Sequence, residues 1–253
     1  MPTLNKPETL IAFHGKEAIK EKYMRRLRAH YKADEIVQGT AWERGKGCAV
    51  GCTLHRYEHK AYETELGIPV AIAHLEDRLF ESLPLSEAKE FPISFLDSIQ
   101  VGADLSGVVP RFLHWLIIDD VDGVINFADR QDSKHAIQSV GDLWQRVIEG
   151  STVTSKEWDA AAQQVDESRQ NEPANESRSP AVYAARASLN VADAYRSTSA
   201  AAYAVTNAAY ATYANASAAA SAGKVVGNQV GHCEKMAAKL LELLDAAPVV
   251  DLK

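Results

Sequence analysis

Apolar residues recur every three or four positions along most of this chain, the period of helices that bury one face. Ile19, Tyr23, Leu27 and Tyr31 set one such stripe on a helix over about Phe13 to Lys32. Its other face carries Lys16, Lys20, Lys22, Arg25, Arg26, Arg28 and Lys32 against Glu17 and Glu21, a net +5 that pairs with acidic neighbours or meets an anionic ligand. From Thr53 to Glu65 the chain is polar and reads as helix. Pro69 suits the first position of the next helix, where its missing N–H costs nothing. That helix runs to about Leu83, with Val70, Ala73, Leu79, Phe80 and Leu83 inward and Glu76, Asp77, Arg78 and Glu81 outward. Pro84 ends it. Pro92 opens another helix, with Phe95, Leu96 and Ile99 inward, and Gly102 closes it.

The most apolar segment, Phe112 to Ile118, is too short to cross a membrane and fits a buried helix or strand. Asp119 to Gly123 is a turn, because Ile118 stands where a calcium loop needs its first ligand. Asp132 or Ser133 caps a helix to about Glu149, with Ile137, Val140, Trp144, Val147 and Ile148 at helical spacing. Thr154 and Glu157 have capping-box spacing ahead of a short helix to Val165. Asp166 to Pro180 is rich in Glu, Ser, Asn, Arg and Pro and reads as a linker.

Ala181 to Ala222 holds 19 alanines and five tyrosines in 42 residues, without glycine or proline, and alanine is the strongest helix former. A 4-3 alternation without a charged residue continues through Val226, Val230, Cys233, Ala237, Leu240 and Leu244, a seam suited to a coiled coil. Tyr195, Tyr203, Tyr210 and Tyr213 fall within roughly 80° on a helical wheel, as packing residues or as an interface. Leu240 and Leu244 join them as candidate interface residues. Gly223, Gly227 and Gly231 leave open whether the arm is one long helix or a hairpin. The fold expected is mostly α: a compact helical domain over residues 1–150, a short helix and polar linker over 151–180, and an Ala-rich arm over 181–253. A short strand or hairpin is expected near residues 45–55.

Composition narrows the function classes. A net charge of −7 argues against wholesale nucleic-acid binding. Three cysteines, an odd number, point to a reducing compartment rather than a disulfide framework. With no signal-like or membrane-spanning run, the expectation is a cytoplasmic protein.

The chemistry concentrates in Gly45-Lys46-Gly47-Cys48-Ala49-Val50-Gly51-Cys52-Thr53-Leu54-His55. Glycine is used where backbone takes a positive φ or lies against something else. Cys48 at a helix start would have its thiolate stabilised, making it a candidate nucleophile, with His55, His59, His74 and His114 as possible bases. Cys48, Cys52, His59 and Glu63, or His55, His59 and Glu63, are donor sets that zinc accepts, although the usual two-residue gap between paired cysteines is absent. The bland alternative packs Cys48 and Cys52 as buried thiols at a tight crossing. The candidate catalytic residues are therefore Cys48, Cys52, His55 and His59; no cofactor is specified.

Gly45 to Cys52, Glu65-Leu66-Gly67-Ile68-Pro69, Leu75-Glu76-Asp77-Arg78-Leu79-Phe80-Glu81 and Gly102-Ala103-Asp104-Leu105-Ser106 together resemble an uncharacterised family of bacterial and phage-borne proteins. The resemblance covers about residues 30–120 and implies an intracellular prokaryotic or phage accessory protein; it supplies no catalytic residue. The function expected is binding of a protein partner, with the C-terminal arm as assembly element and a homo-oligomer as one outcome. The alternative is a cysteine-dependent hydrolase or transferase with Cys48 as nucleophile.

Overall fold

The computed structural model describes residues 10–128, 130–171, 185 and 229–251. The chain is mostly α. In order it forms α1 (Glu17–Lys32), β1 (Trp42–Glu43), β2 (Lys46–Gly47), α2 (Ala49–Leu54), α3 (Val70–Ser82), α4 (Leu85–Ser98), α5 (Val108–Ile118), α6 (Gln131–Ile148), α7 (Ser155–Gln170) and α8 (Gln229–Asp245). Two compact units result, one from residues 10–108 with 233–251, the other from residues within 109–232. The expectations for the Ala/Tyr arm, including Tyr195, Tyr203, Tyr210 and Tyr213, lie outside the described residues.

In the first unit α1 packs on α2 and α4, and α3 packs on both of these as well. The buried stripe of α1 is Tyr23, Met24, Leu27 and His30, while Tyr31 is 40% exposed. The inward face is therefore turned from the expected one, toward His30. β1 and β2 form the expected hairpin, antiparallel, with Trp42 opposite Gly47. The helix expected over Thr53 to Glu65 is instead α2, which ends at His55 in the left-handed region, φ 59°. Arg56, Tyr57 and Glu58 have no apolar face to bury, so nothing favours continuing the helix. A π-helical turn over Tyr62–Leu66 then leads to Pro69, the N-cap of α3.

Pro92 lies inside α4 rather than opening it. The apolar face Ala88, Phe91, Phe95 and Leu96 is continuous across it, and that burial outweighs the ~3 kcal/mol an interior proline costs. The last part of α8 belongs to this unit, with Cys233, Met236, Leu240 and Leu244 in its core. Beyond it, Ala103 pairs with Val249, and Val250 donates to the Gly102 carbonyl at 3.0 Å.

The second unit is built on the α6–α7 pair. Trp144 and Trp158 meet at 5.1 Å between ring centroids. Thr154 and Glu157 form the expected capping box. The α7 helix continues past Val165 to Gln170 because Ser168 turns inward and meets Ser133 Oγ at 2.8 Å. The apolar segment before Asp119 is helix α5. Asp119 Oδ1 then accepts from the N–H groups of Val121 and Asp122, making the turn expected there. No helix among the described residues is long and apolar enough to cross a membrane.

Candidate metal centre

Backbone contact positions Cys48. Neither Gly47 nor Gly51 leaves room for a Cβ against the Ala41 carbonyl, so the start of α2 lies directly on the 40–42 segment. Cys48 N–H donates to the Thr40 carbonyl at 2.7 Å, and Gly47 N–H to the Glu35 carbonyl at 3.1 Å. The Cys48 side chain is 1% exposed, and its thiol donates to the Ala41 carbonyl at 3.5 Å.

α3 brings the other groups. His74, Asp77 and Glu81 stand three and four residues apart and share one face of that helix. The Cys48 sulfur and a carboxylate oxygen each from Asp77 and Glu81 lie within 4.8 Å of one another. Asp77 is 9% exposed. Its Oδ2 accepts from His59 Nε2 at 3.0 Å and from the Tyr57 hydroxyl at 2.9 Å. Its Oδ1 is buried and has no hydrogen-bond partner. Glu81 is exposed and its Oε2 accepts from Gly39 N–H at 2.8 Å. Behind the carboxylate the His59 ring lies flat on His74, 3.8 Å between centroids and 4° from parallel.

The electrostatics follow from burial and crowding. Burial pushes the Cys48 thiol far above its ordinary value, and the Asp77 charge adds to the shift. Burial pushes the Glu81 carboxyl up, and Asp77 again adds to it. Burial would raise Asp77 too, but the donors His59 and Tyr57 outweigh it and hold this carboxyl below the usual range. His74 is pushed down to about 4, by burial first and by His59 second. Three acidic groups thus converge on one point, with the Asp77 carboxylate oriented from behind by a histidine and a tyrosine. Hydrogen bonds of this kind from behind fix the direction in which a carboxylate presents its oxygens.

A tetrahedral zinc bound to one sulfur and two oxygens would set those atoms roughly 3.5 Å apart, from bond lengths of about 2.3 and 2.1 Å. Glu81, exposed in the last turn of α3 and held through Oε2 by Gly39 N–H, would have to shift to close that gap. Of the donors singled out in the sequence, Cys48 takes part directly and His59 stands behind Asp77. Cys52 does not: its thiol donates to the Gly47 carbonyl at 3.2 Å in the core. Glu63 caps the next helix instead, accepting from Val70 N–H at 3.1 Å. Neither His55 nor His59 hydrogen-bonds Cys48, so no cysteine–histidine pair is assembled from these three residues; His114 lies in the other unit.

Asp77, Glu81 and Tyr57 were absent from the sequence candidates. Asp77 and Glu76 were expected on the outward face of α3, and both are buried, Glu76 completely. Burial pushes the Glu76 carboxyl well above its ordinary value, with the Tyr62 hydroxyl opposing the shift. The signal lay in Val70-Ala71-Ile72-Ala73 and Leu75, which put apolar residues all round the helix; such a helix is buried on more than one side. Comparison with protein-family models, curated proteins and solved structures finds no match to this chain.

Proposed function

We propose that this chain is a metal-dependent protein, with a divalent cation of the zinc class held by Cys48, Asp77 and Glu81. The observation that carries the reading is Asp77 itself: a 9% exposed carboxylate, with Oδ2 fixed by two donors and Oδ1 buried without a hydrogen bond, and with one carboxylate oxygen within 4.8 Å of the Cys48 sulfur and of a Glu81 oxygen. A buried charged oxygen without a partner is costly, and a cation at this point would offset that cost. It would also reverse the elevation of the Cys48 thiol, since a coordinating thiol is deprotonated outright. A thiolate with two carboxylates is a donor set zinc accepts. Three protein ligands would leave a fourth position for water. The reaction class that follows is metal-assisted hydrolysis.

Cobalt(II) titration of the chelator-treated protein tests this directly. A thiolate-to-cobalt absorption band is expected to saturate at one equivalent and to vanish in Cys48→Ala. Tyr57→Phe removes one donor to Asp77 and is expected to weaken cobalt binding roughly ten- to a hundredfold. A wild-type protein without the band, or a band that survives in Cys48→Ala, would remove the proposal.

A partner-binding role for the C-terminal arm is a separate proposal, supported by the shared helical face of Tyr195, Tyr203, Tyr210 and Tyr213 in the sequence. Light scattering of the full chain tests it: an oligomer is expected, and a monomer at tens of micromolar would count against self-assembly.

A further inference from the structure

A second cluster lies at the other end of α2 and owes nothing to the Cys48 centre. His55 closes that helix in the left-handed conformation, φ 59°, which non-glycine residues seldom adopt and which concentrates at functional sites. The conformation lays its ring on Trp42, 5.0 Å between centroids and 11° from parallel. It also sets His55 Nε2 at 2.9 Å from His30 Nε2. His30 is 9% exposed, and its Nδ1 lies 2.6 Å from Glu35 Oε2. Glu35 is held in place by its backbone, whose N–H donates to the His30 carbonyl at 2.9 Å while its carbonyl accepts from Gly47 N–H. His55 itself is exposed.

This order admits a directed chain of protons. When His30 Nδ1 donates to the Glu35 carboxylate and the ring carries one hydrogen, its Nε2 is an acceptor. His55 Nε2 must then donate to it, which leaves the lone pair on His55 Nδ1. Burial first, then the nearby Arg26 and His30, push His55 below its ordinary value, in keeping with a neutral ring. A carboxylate that orients one imidazole, which in turn orients an exposed one, extends the logic by which a base is held in its reactive tautomer.

We infer that His55 is a nucleophilic imidazole backed by a two-step proton relay, and that it takes an activated acyl group. Its Nδ1 forms the bond to the acyl carbon while the bond to the leaving group breaks, and the leaving group departs with that electron pair. The Nε2 proton of His55 passes to His30 Nε2, and the resulting imidazolium is held by Glu35. Water then adds to the acyl carbon and the bond to Nδ1 breaks with its electron pair returning to Nδ1; His55 Nε2 takes its proton back from His30, and the protons of the water leave to solvent with the carboxylate product. Arg26, anchored by its Nη1 on the Thr53 carbonyl at 2.7 Å, favours an acyl donor that carries negative charge.

Diethyl pyrocarbonate, an activated acyl compound, is the probe, with peptide mapping by mass spectrometry at pH 7. His55 is expected to react about tenfold faster than the exposed His135, and Glu35→Gln to bring it down to the His135 rate. Equal rates at His55 and His135, or an accelerated His55 that ignores Glu35→Gln, would overturn the inference. Should Glu35→Gln lose its cooperative melt, long-range nitrogen–proton NMR of the wild type decides instead. A hydrogen on Nε2 of His55 is expected, and one on Nδ1 overturns the relay.

Discussion

Gly51 lies so close to the carbonyl oxygen of Ala41 that an added Cβ would stand 1.9 Å from it. The φ of Gly51 is not positive, so the need for glycine is contact and not conformation. Even alanine is therefore too large. Gly51→Ala is expected to destabilise at or above the top of the ~1–3 kcal/mol range for overpacking, and Gly51→Val to prevent folding. Thermal melting followed by circular dichroism is the check. A Gly51→Ala protein that melts within a few degrees of wild type would mean that the α2 crossing can shift.

The thiols should be inert in the folded protein. Cys48, Cys52 and Cys233 are each no more than 1% exposed. Burial pushes the Cys52 thiol up to about 12 and the Cys233 thiol to about 11. Only the thiolate reacts with iodoacetamide, so labelling at pH 7 is expected to be slow without urea and complete at all three in urea. One cysteine labelled rapidly in the native, metal-free protein would instead favour the nucleophile reading of Cys48.

Stability should fall with acid through His74. Its folded value of about 4 lies below the ordinary 6.5 of a histidine, so the unfolded chain binds this proton first. The contribution is complete above about pH 6.5, is lost as the pH drops toward about 4, and stays lost below that. The limiting slope for one such group is ~1.4 kcal/mol per pH unit, and a half-buried ring will give less. Urea unfolding in the presence of a chelator, compared with His74→Gln, isolates the effect. The gap between the two proteins is expected to narrow between pH 7 and pH 4; parallel curves would show that His74 does not titrate this way.

Much of this was readable from residue order, where the physics is local. Thr154 and Glu157 cap α7 as their spacing requires, and Cys48 stands at a helix start. Gly47 and Gly51 mark a close crossing. What escaped depends on neighbours distant in sequence. Asp77 reads as an outward charge until α2 and α4 are seen to cover α3 from two sides. His55 reads as one more residue of a polar helix until Trp42 and His30 give its ring a place in the left-handed cap. Tyr31 continues the α1 stripe on paper, yet His30 takes the inward position because Glu35 and His55 supply hydrogen bonds there.

The α7 cap offers a test confined to the second unit. The Thr154 hydroxyl first, then Arg146 and the Thr154 backbone N–H, hold the Glu157 carboxyl down to about 2. Thr154→Ala removes the side-chain half of the box and is expected to cost about 1 kcal/mol, measured by urea unfolding. Loss of well under half that amount would mean that the Arg146–Glu157 pair alone secures the start of the helix.

The pairing of Ala103 with Val249 also sets a timetable. Cys233, Met236, Leu240 and Leu244 are buried in the same unit as α1 to α4, so that unit lacks part of its interior until roughly 150 further residues have been made. At ordinary translation rates that interval is on the order of ten seconds or more. During it the apolar surface awaiting α8 is uncovered, while the α6–α7 pair, whose contacts are close in sequence, has all of its own residues in hand. A circular permutant that places residues 229–251 ahead of residue 10 would abolish the wait.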